Sequence, residues 1–179
     1  MTRALGIAVI AAVMIGGPSA ARADDDAPRT AVSIQVPALT ASALSAQAER
    51  DLGWHRLSLA AGVSVRASAM GDYDSLTVGG GVELRRWLGR APGITGWYAA
   101  LRVDIGHTTL AMESEDRTIG SLLTIAAGPM IGHRWLLWHH VELTPYAGLA
   151  VVTEAGLDGR LPRATRGAGL AGVTLGWMF

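Results

Sequence analysis

The chain has 179 residues with 15 basic and 15 acidic side chains, so its formal charge is zero and it offers no positive excess for nucleic acid. It contains no cysteine, which excludes disulfides, thiolate metal sites and cysteine nucleophiles. Half of its residues are hydrophobic, yet the best candidate for a membrane helix, Ser121 to Trp138, is interrupted by Gly128-Pro129 and His133-Arg134, and Ile94 to Leu110 carries Arg102 and Asp104.

At the start of the chain, Arg3 precedes an apolar run from Ala4 to Ile15, and Gly16, Gly17 and Pro18 break it. Ala21-Arg22-Ala23 then has the small-x-small form of a cleavage site, followed by Asp24-Asp25-Asp26. The run is shorter than the roughly 20 residues of a spanning helix. Residues 1–23 therefore read as a cleavable export signal, 24–29 as a short tail and 30–179 as one domain. No cysteine follows the cleavage site to carry a lipid anchor. Losing Arg3 and Arg22 from the 15 basic residues leaves two fewer than the 15 acidic ones, a mature charge of −2.

From Thr30 onward the hydrophobicity is arranged with period two, the strand period. Thr30 to Val36 places Val32, Ile34 and Val36 on one face. Ala41 to Arg50 is alanine-rich and suits a helix on propensity alone, but alternates Leu44, Ala46 and Ala48 with Ser45, Gln47 and Glu49. Leu57 to Arg66 and Leu76 to Arg85 follow, the second with Glu83 and Arg85 opposite Val82 and Leu84. Trp97 to Ile105 sets Trp97, Ala99, Leu101, Val103 and Ile105 against Tyr98, Ala100, Arg102 and Asp104. Leu123 to Ile131, Val141 to Val151 and Val173 to Phe179 repeat the pattern. Linkers near 51–53, 89–93 and 135–139 are short; those near 68–74, 111–118 and 153–166 are longer and polar. Short and long connections alternate as periplasmic turns and outer loops do in membrane barrels. With residues 37–40 as a tight outer turn, the expectation is an all-β, eight-stranded, antiparallel up-and-down transmembrane β-barrel, a monomer in a bacterial outer membrane.

Alternation alone does not separate this from a soluble barrel turned the other way, such as a lipocalin. Three features decide. Trp54, Trp87, Trp97, Trp135, Trp138 and Trp177 all lie beside a short connection or the C-terminus, hence at one rim, as an interfacial belt requires. The polar face is crowded with glycine, which suits a narrow interior and not a wet surface. The chain is expected to close on Phe179 without a tail. The ending Thr174-Leu175-Gly176-Trp177-Met178-Phe179 resembles the C-terminal signal of outer-membrane proteins, with Trp177 and Phe179 in its aromatic positions. That resemblance implies the barrel-assembly machinery as a partner during biogenesis. The layout is similar to small barrels of the OmpA and OmpX type. Ala41 to Arg50, Gly80-Gly81-Val82 and Ile131-Gly132-His133-Arg134-Trp135 resemble a poorly characterised family of small barrels, which implies a fold and no activity.

The inward face is expected to carry Glu49, Arg56, Arg66, Glu83, Arg85, Arg102, Asp104, Arg134 and Glu142. Both signs in a narrow lumen point to a paired network that fills the interior; a gated pore is the alternative. His107 and Thr109 share a face with Glu113 and Glu115 just beyond, similar in type to the His-x-Ser pair and glutamate of an outer-leaflet lipid A deacylase, with Thr109 as nucleophile. Polar residues at a strand end explain the same pattern. His133, His139 and His140 gather at the Trp-rich rim, where interfacial anchoring is expected rather than a metal, with His133 facing opposite to His140. Thr153 to Arg166 offers arginines to lipopolysaccharide phosphates or to solvent. The overall expectation is a structural or interaction barrel in contact with outer-membrane lipid and lipopolysaccharide, without catalysis, cofactor or metal. A lipid-modifying enzyme and a narrow transport or ligand-binding barrel are the alternatives.

Overall fold

The computed structural model describes residues 29–36, 42–70, 73–89, 93–112, 117–157 and 163–179. They form eight strands in chain order: β1 (Thr30–Val36), β2 (Ser42–Asp51), β3 (Leu57–Met70), β4 (Tyr73–Trp87), β5 (Gly96–Met112), β6 (Arg117–Leu137), β7 (Val141–Gly156) and β8 (Ala164–Met178). Each pairs antiparallel with its chain neighbours, and β1 pairs with β8, so the sheet closes into an up-and-down barrel. Closure removes the unpaired edges that an open sheet would present.

The registers fix the shape. A path perpendicular to the strands runs from Ala164 to Glu154, Thr124, Gly106, Gly79, Ser64, Ser45 and Gln35, and returns to β8 at Thr174. One circuit thus slips ten residues (from 164 to 174) along β8. With a rise of about 3.3 Å per residue and about 4.8 Å between strands, that slip tilts the strands by about 40°. Each residue then climbs about 2.5 Å along the axis.

The expected elements hold, with extensions. Thr30–Val36 is β1 as read, and β2, described from Ser42, runs one residue further than expected, to Asp51. The remaining strands run further toward the loop end than their alternation reaches: β5 continues to Met112 and β6 begins at Arg117. Most of the described residues in the connections expected as long polar loops near 68–74, 111–118 and 153–166 are therefore strand. Hydrogen-bonded pairing persists there while the faces become mixed, as in Thr108, Thr109, Leu110, Ala111 and Met112. The outer turn expected at 37–40 and residues 1–28 lie outside the described residues. At the opposite end the connections are short. Residues 52–56 and 138–140 turn back through positive φ at His55, Arg56, Trp138 and His139.

Candidate functional site

The barrel has two surfaces, and the site question divides between them. The wall is apolar outside. Leu101 is 58% exposed while its neighbour Ala100 is buried, and the same alternation exposes Val78, Val82 and Leu84 on β4 and Leu149 and Val151 on β7. On β5 the outward series is Trp97, Ala99, Leu101, Val103 and Ile105, ending at His107. Trp97 to Ile105 is eight steps of about 2.5 Å axial rise, and the outward series Val141 to Val151 on β7 is ten, so the apolar band is about 20 to 25 Å tall. At its turn-end edge, Trp97, Trp135 and Trp177 point outward from β5, β6 and β8. The tilt brings them to one level within about 2 Å. His133 fits between Trp97 and Trp135, with ring centroids 4.9 and 4.8 Å away.

Two of the six tryptophans, Trp54 and Trp138, sit exposed in the turns below that ring. Trp87 departs from the expected belt. It is 2% exposed and points into the lumen, where its indole N–H donates to Ser58 Oγ at 2.9 Å. Its even spacing from Glu83 and Arg85 on β4 places it inside, and that parity outweighs its nearness to a turn. His140 also departs from expectation: it leaves the strand alternation in the 138–140 turn and stacks on Trp177, centroids 5.3 Å apart. It therefore lies on the outside, as His133 does.

The lumen is filled at the turn end by a charged plug. Glu49 of β2 is its centre. One carboxylate oxygen accepts from Ser58 Oγ. The other accepts from Arg85 Nη1 and Arg134 Nη2, both at 2.5 Å. Arg85 Nε reaches Glu83 at 2.6 Å, and Arg134 Nη1 donates to the carbonyl of Ile94 at 3.2 Å. Arg134 Nε also lies 2.5 Å from a carboxylate oxygen of Glu142, a second buried ion pair. The guanidinium of Arg85 lies 4.8 Å over the Tyr98 ring and that of Arg134 lies 5.0 Å over Trp87. Ile94, folded inward from the β4–β5 connection, closes the base with Met178, Met130 and Ala31. Charges so removed from water are tolerable because each meets an opposite charge, and the two guanidiniums also lie over ring faces.

Glycines make room for these side chains. Tyr98 faces Gly132, Asp104 faces Gly81, Tyr146 faces Gly172 and Glu142 faces Gly176 across neighbouring strands. A Cβ on Gly132 would stand 2.5 Å from the Tyr98 ring. Above the plug, Arg102 and Asp104 form a half-exposed bidentate pair at 2.7 and 2.9 Å. Beside them a cavity of about 30 Å³, lined by Gln35, Ser45, Gln47, Arg102 and Asp104, holds space for about two waters.

The sequence-derived charge set is therefore mostly brought together: Glu49, Glu83, Arg85, Arg134 and Glu142 in the plug, Arg102 and Asp104 above it. Arg56 is not in it. It lies exposed in the 52–56 turn, where the chain has left the strand and face alternation no longer applies. Arg66 shares the lumen-side parity but is exposed near the loop-end mouth. Sequence reading missed Ile94, Ser58 and Thr144; Thr144 hydrogen-bonds Arg134 at 3.2 Å. Small inward hydroxyls gave no signal beyond parity, and Ile94 belongs to a connection. His107 and Thr109 face outward together on β5 at the top of the apolar band. Glu113 and Glu115 lie outside the described residues. Among the described residues, no group of three or more His, Asp or Glu converges as a metal site. No protein-family model matches the chain, and no curated protein is similar to it in sequence.

Proposed function

We propose that this chain is an exported outer-membrane barrel with a lipid-facing wall and a closed lumen, acting as a structural or interaction protein rather than an enzyme. The observation that carries this reading is the outer wall: exposed apolar side chains over about 20 to 25 Å, edged by tryptophan at one level. That height is close to that of the apolar band of outer-membrane barrels. A water-exposed wall of this composition would leave a continuous apolar patch far beyond a few hundred Å². The signal-like residues 1–23 supply the export route, and the barrel-assembly machinery and lipopolysaccharide are the expected partners.

The test is refolding into phosphatidylcholine vesicles, followed by urea unfolding of Leu101→Arg. Arginine near the midplane of the lipid face costs roughly 2–4 kcal/mol. In vesicles the variant is expected to lose about that much stability. A wild-type barrel that stays monomeric in plain buffer, with Leu101→Arg neutral, overturns the reading, because the wall then faces water. In cells the mature protein is expected to begin near Asp24 and fractionate with outer membrane; an intact Met1 in the cytoplasm by mass spectrometry counts against it.

A further inference from the structure

We propose that the turn-end rim over β2, β3 and β4 binds the headgroup of an anionic phospholipid, its phosphate held between Arg50 and Arg86. The proposal rests on the membrane reading above and names the lipid that one sector of the wall selects.

The rim is divided by charge. On β5 to β8 its outward residues are Trp97, His133, Trp135 and Trp177, and among the described residues that half presents no arginine outward. On β2 and β4, at the same height within about 4 Å, the outward residues are Arg50 and Arg86, both exposed. Between them β3 presents Leu57 and Leu59: Arg50 is the register partner of Leu59, and Leu57 that of Arg86. Two strand spacings and a two-residue offset set the arginine Cα atoms about 12 Å apart, a span that two arginine side chains can close around one phosphate, with Leu57 and Leu59 between them. Neither makes an ion pair among the described residues, unlike the plug arginines. The acid of this sector, Asp51, accepts the backbone N–H of Gly53 at 2.8 Å.

Charge and floor together fix the occupant. Planar guanidinium forks grip a phosphate oxygen by oxygen, and Leu57 and Leu59 suit the first methylenes of an acyl chain. Tryptophan anchors the other half of the rim without regard to headgroup charge. The arginine sector is the part that discriminates, because a cation beside an anionic leaflet gains about a fivefold preference.

Native mass spectrometry of the refolded barrel in non-ionic detergent, with equal phosphatidylglycerol and phosphatidylcholine of the same chains, reads this directly. Wild type is expected to retain phosphatidylglycerol over phosphatidylcholine by about fivefold per arginine. R50Q/R86Q should fold with an unchanged heat-modifiable gel shift and lose the preference, and R50K/R86K should keep part of it. Arg66→Gln, at the loop end, should leave it intact. Equal retention of both lipids by wild type overturns the proposal and leaves the pair to an acidic protein segment. An unaltered preference in R50Q/R86Q overturns it as well. A wild-type barrel that refuses phosphatidylcholine vesicles altogether is the separate result that sinks the membrane reading.

Discussion

Glu49 is bound by three donors, and the worth of each charge in the lumen depends on how far water can replace such partners. Glu49, Arg85 and Arg134 are sealed, with side-chain exposures of 2% or less. Glu49→Ala would leave two guanidiniums short of a partner in a dry interior, each keeping only one acid, Glu83 or Glu142. Breaking a buried pair from one side costs about 3–5 kcal/mol, and urea unfolding of the refolded variant is expected to show a loss of that size. The Arg102–Asp104 pair is 25% and 32% exposed, so water takes over when it is broken. Arg102→Leu is expected to cost about 1 kcal/mol or less. Equal losses in the two variants would show that the plug is wet. Packing makes an independent claim at Gly132, where a methyl group would press on Tyr98. Gly132→Ala is expected to cost about 1–3 kcal/mol, and Tyr98→Leu in the same chain should recover much of it, because the ring is the obstacle. Loss without recovery would place the strain in the β6 backbone instead.

At the scale of the element, strand existence and facing were legible and strand ends were not. The apolar positions of Trp97 to Ile105 point outward as the period of two requires, and Thr30–Val36 is a strand at the limits its alternation marks. Above His107 the outer face is no longer uniformly apolar, so the pattern fades while the backbone still pairs to Met112. Trp87 was misplaced because a compositional cue, tryptophan near a turn, was set above parity with Arg85. Arg56 was misplaced for the opposite reason, parity carried past the end of a strand. The plug's membership was readable from charges on the inward face; its geometry was not, because the pairing of Glu49 with Arg85 and Arg134 spans 36 and 85 residues. Among the described residues, the shortest strand, β1, also makes the shortest seams, six register pairs to β2 and six to β8. β1 joins β8 through Ala31 to Val36 alone, supplemented by the Arg29, Thr30 and Phe179 backbone bonds, whereas β5 and β6 pair along their whole common length. Local opening follows such differences. Hydrogen exchange in micelles is expected to show Ile34 and Leu175 amides exchanging faster than those of Leu101 and Ile125. Uniform protection around the ring would contradict a seam.

For the molecule as a whole, the two surfaces answer separate questions, and conduction is decided by the inner one. A barrel of eight strands has barely room for side chains inside. Here Trp87, Tyr98, Arg85, Arg134, Ile94 and Met178, each at most 2% exposed, occupy the full width at the turn end. The Arg102–Asp104 pair is partly open to solvent, and the plug lies below it. An ion would have to displace Glu49 from two guanidiniums, at a cost of several kcal/mol per buried charge. Screening does not lower that barrier: at 1 M salt the Debye length is about 3 Å, which weakens exposed pairs such as Arg166–Glu154 but acts little on pairs that solvent cannot reach. The barrel reconstituted in a planar bilayer in 1 M KCl is therefore expected to show no current steps above the lipid baseline, at either polarity. The same preparation must show the folded gel shift, so that silence reports a closed lumen and not a failed insertion. Discrete steps from folded wild type would mean that the plug opens, and the pore reading would then replace the structural one. If steps appeared only in Glu49→Ala, the plug itself would be the gate, and the two guanidiniums released by that change should make the current anion-selective.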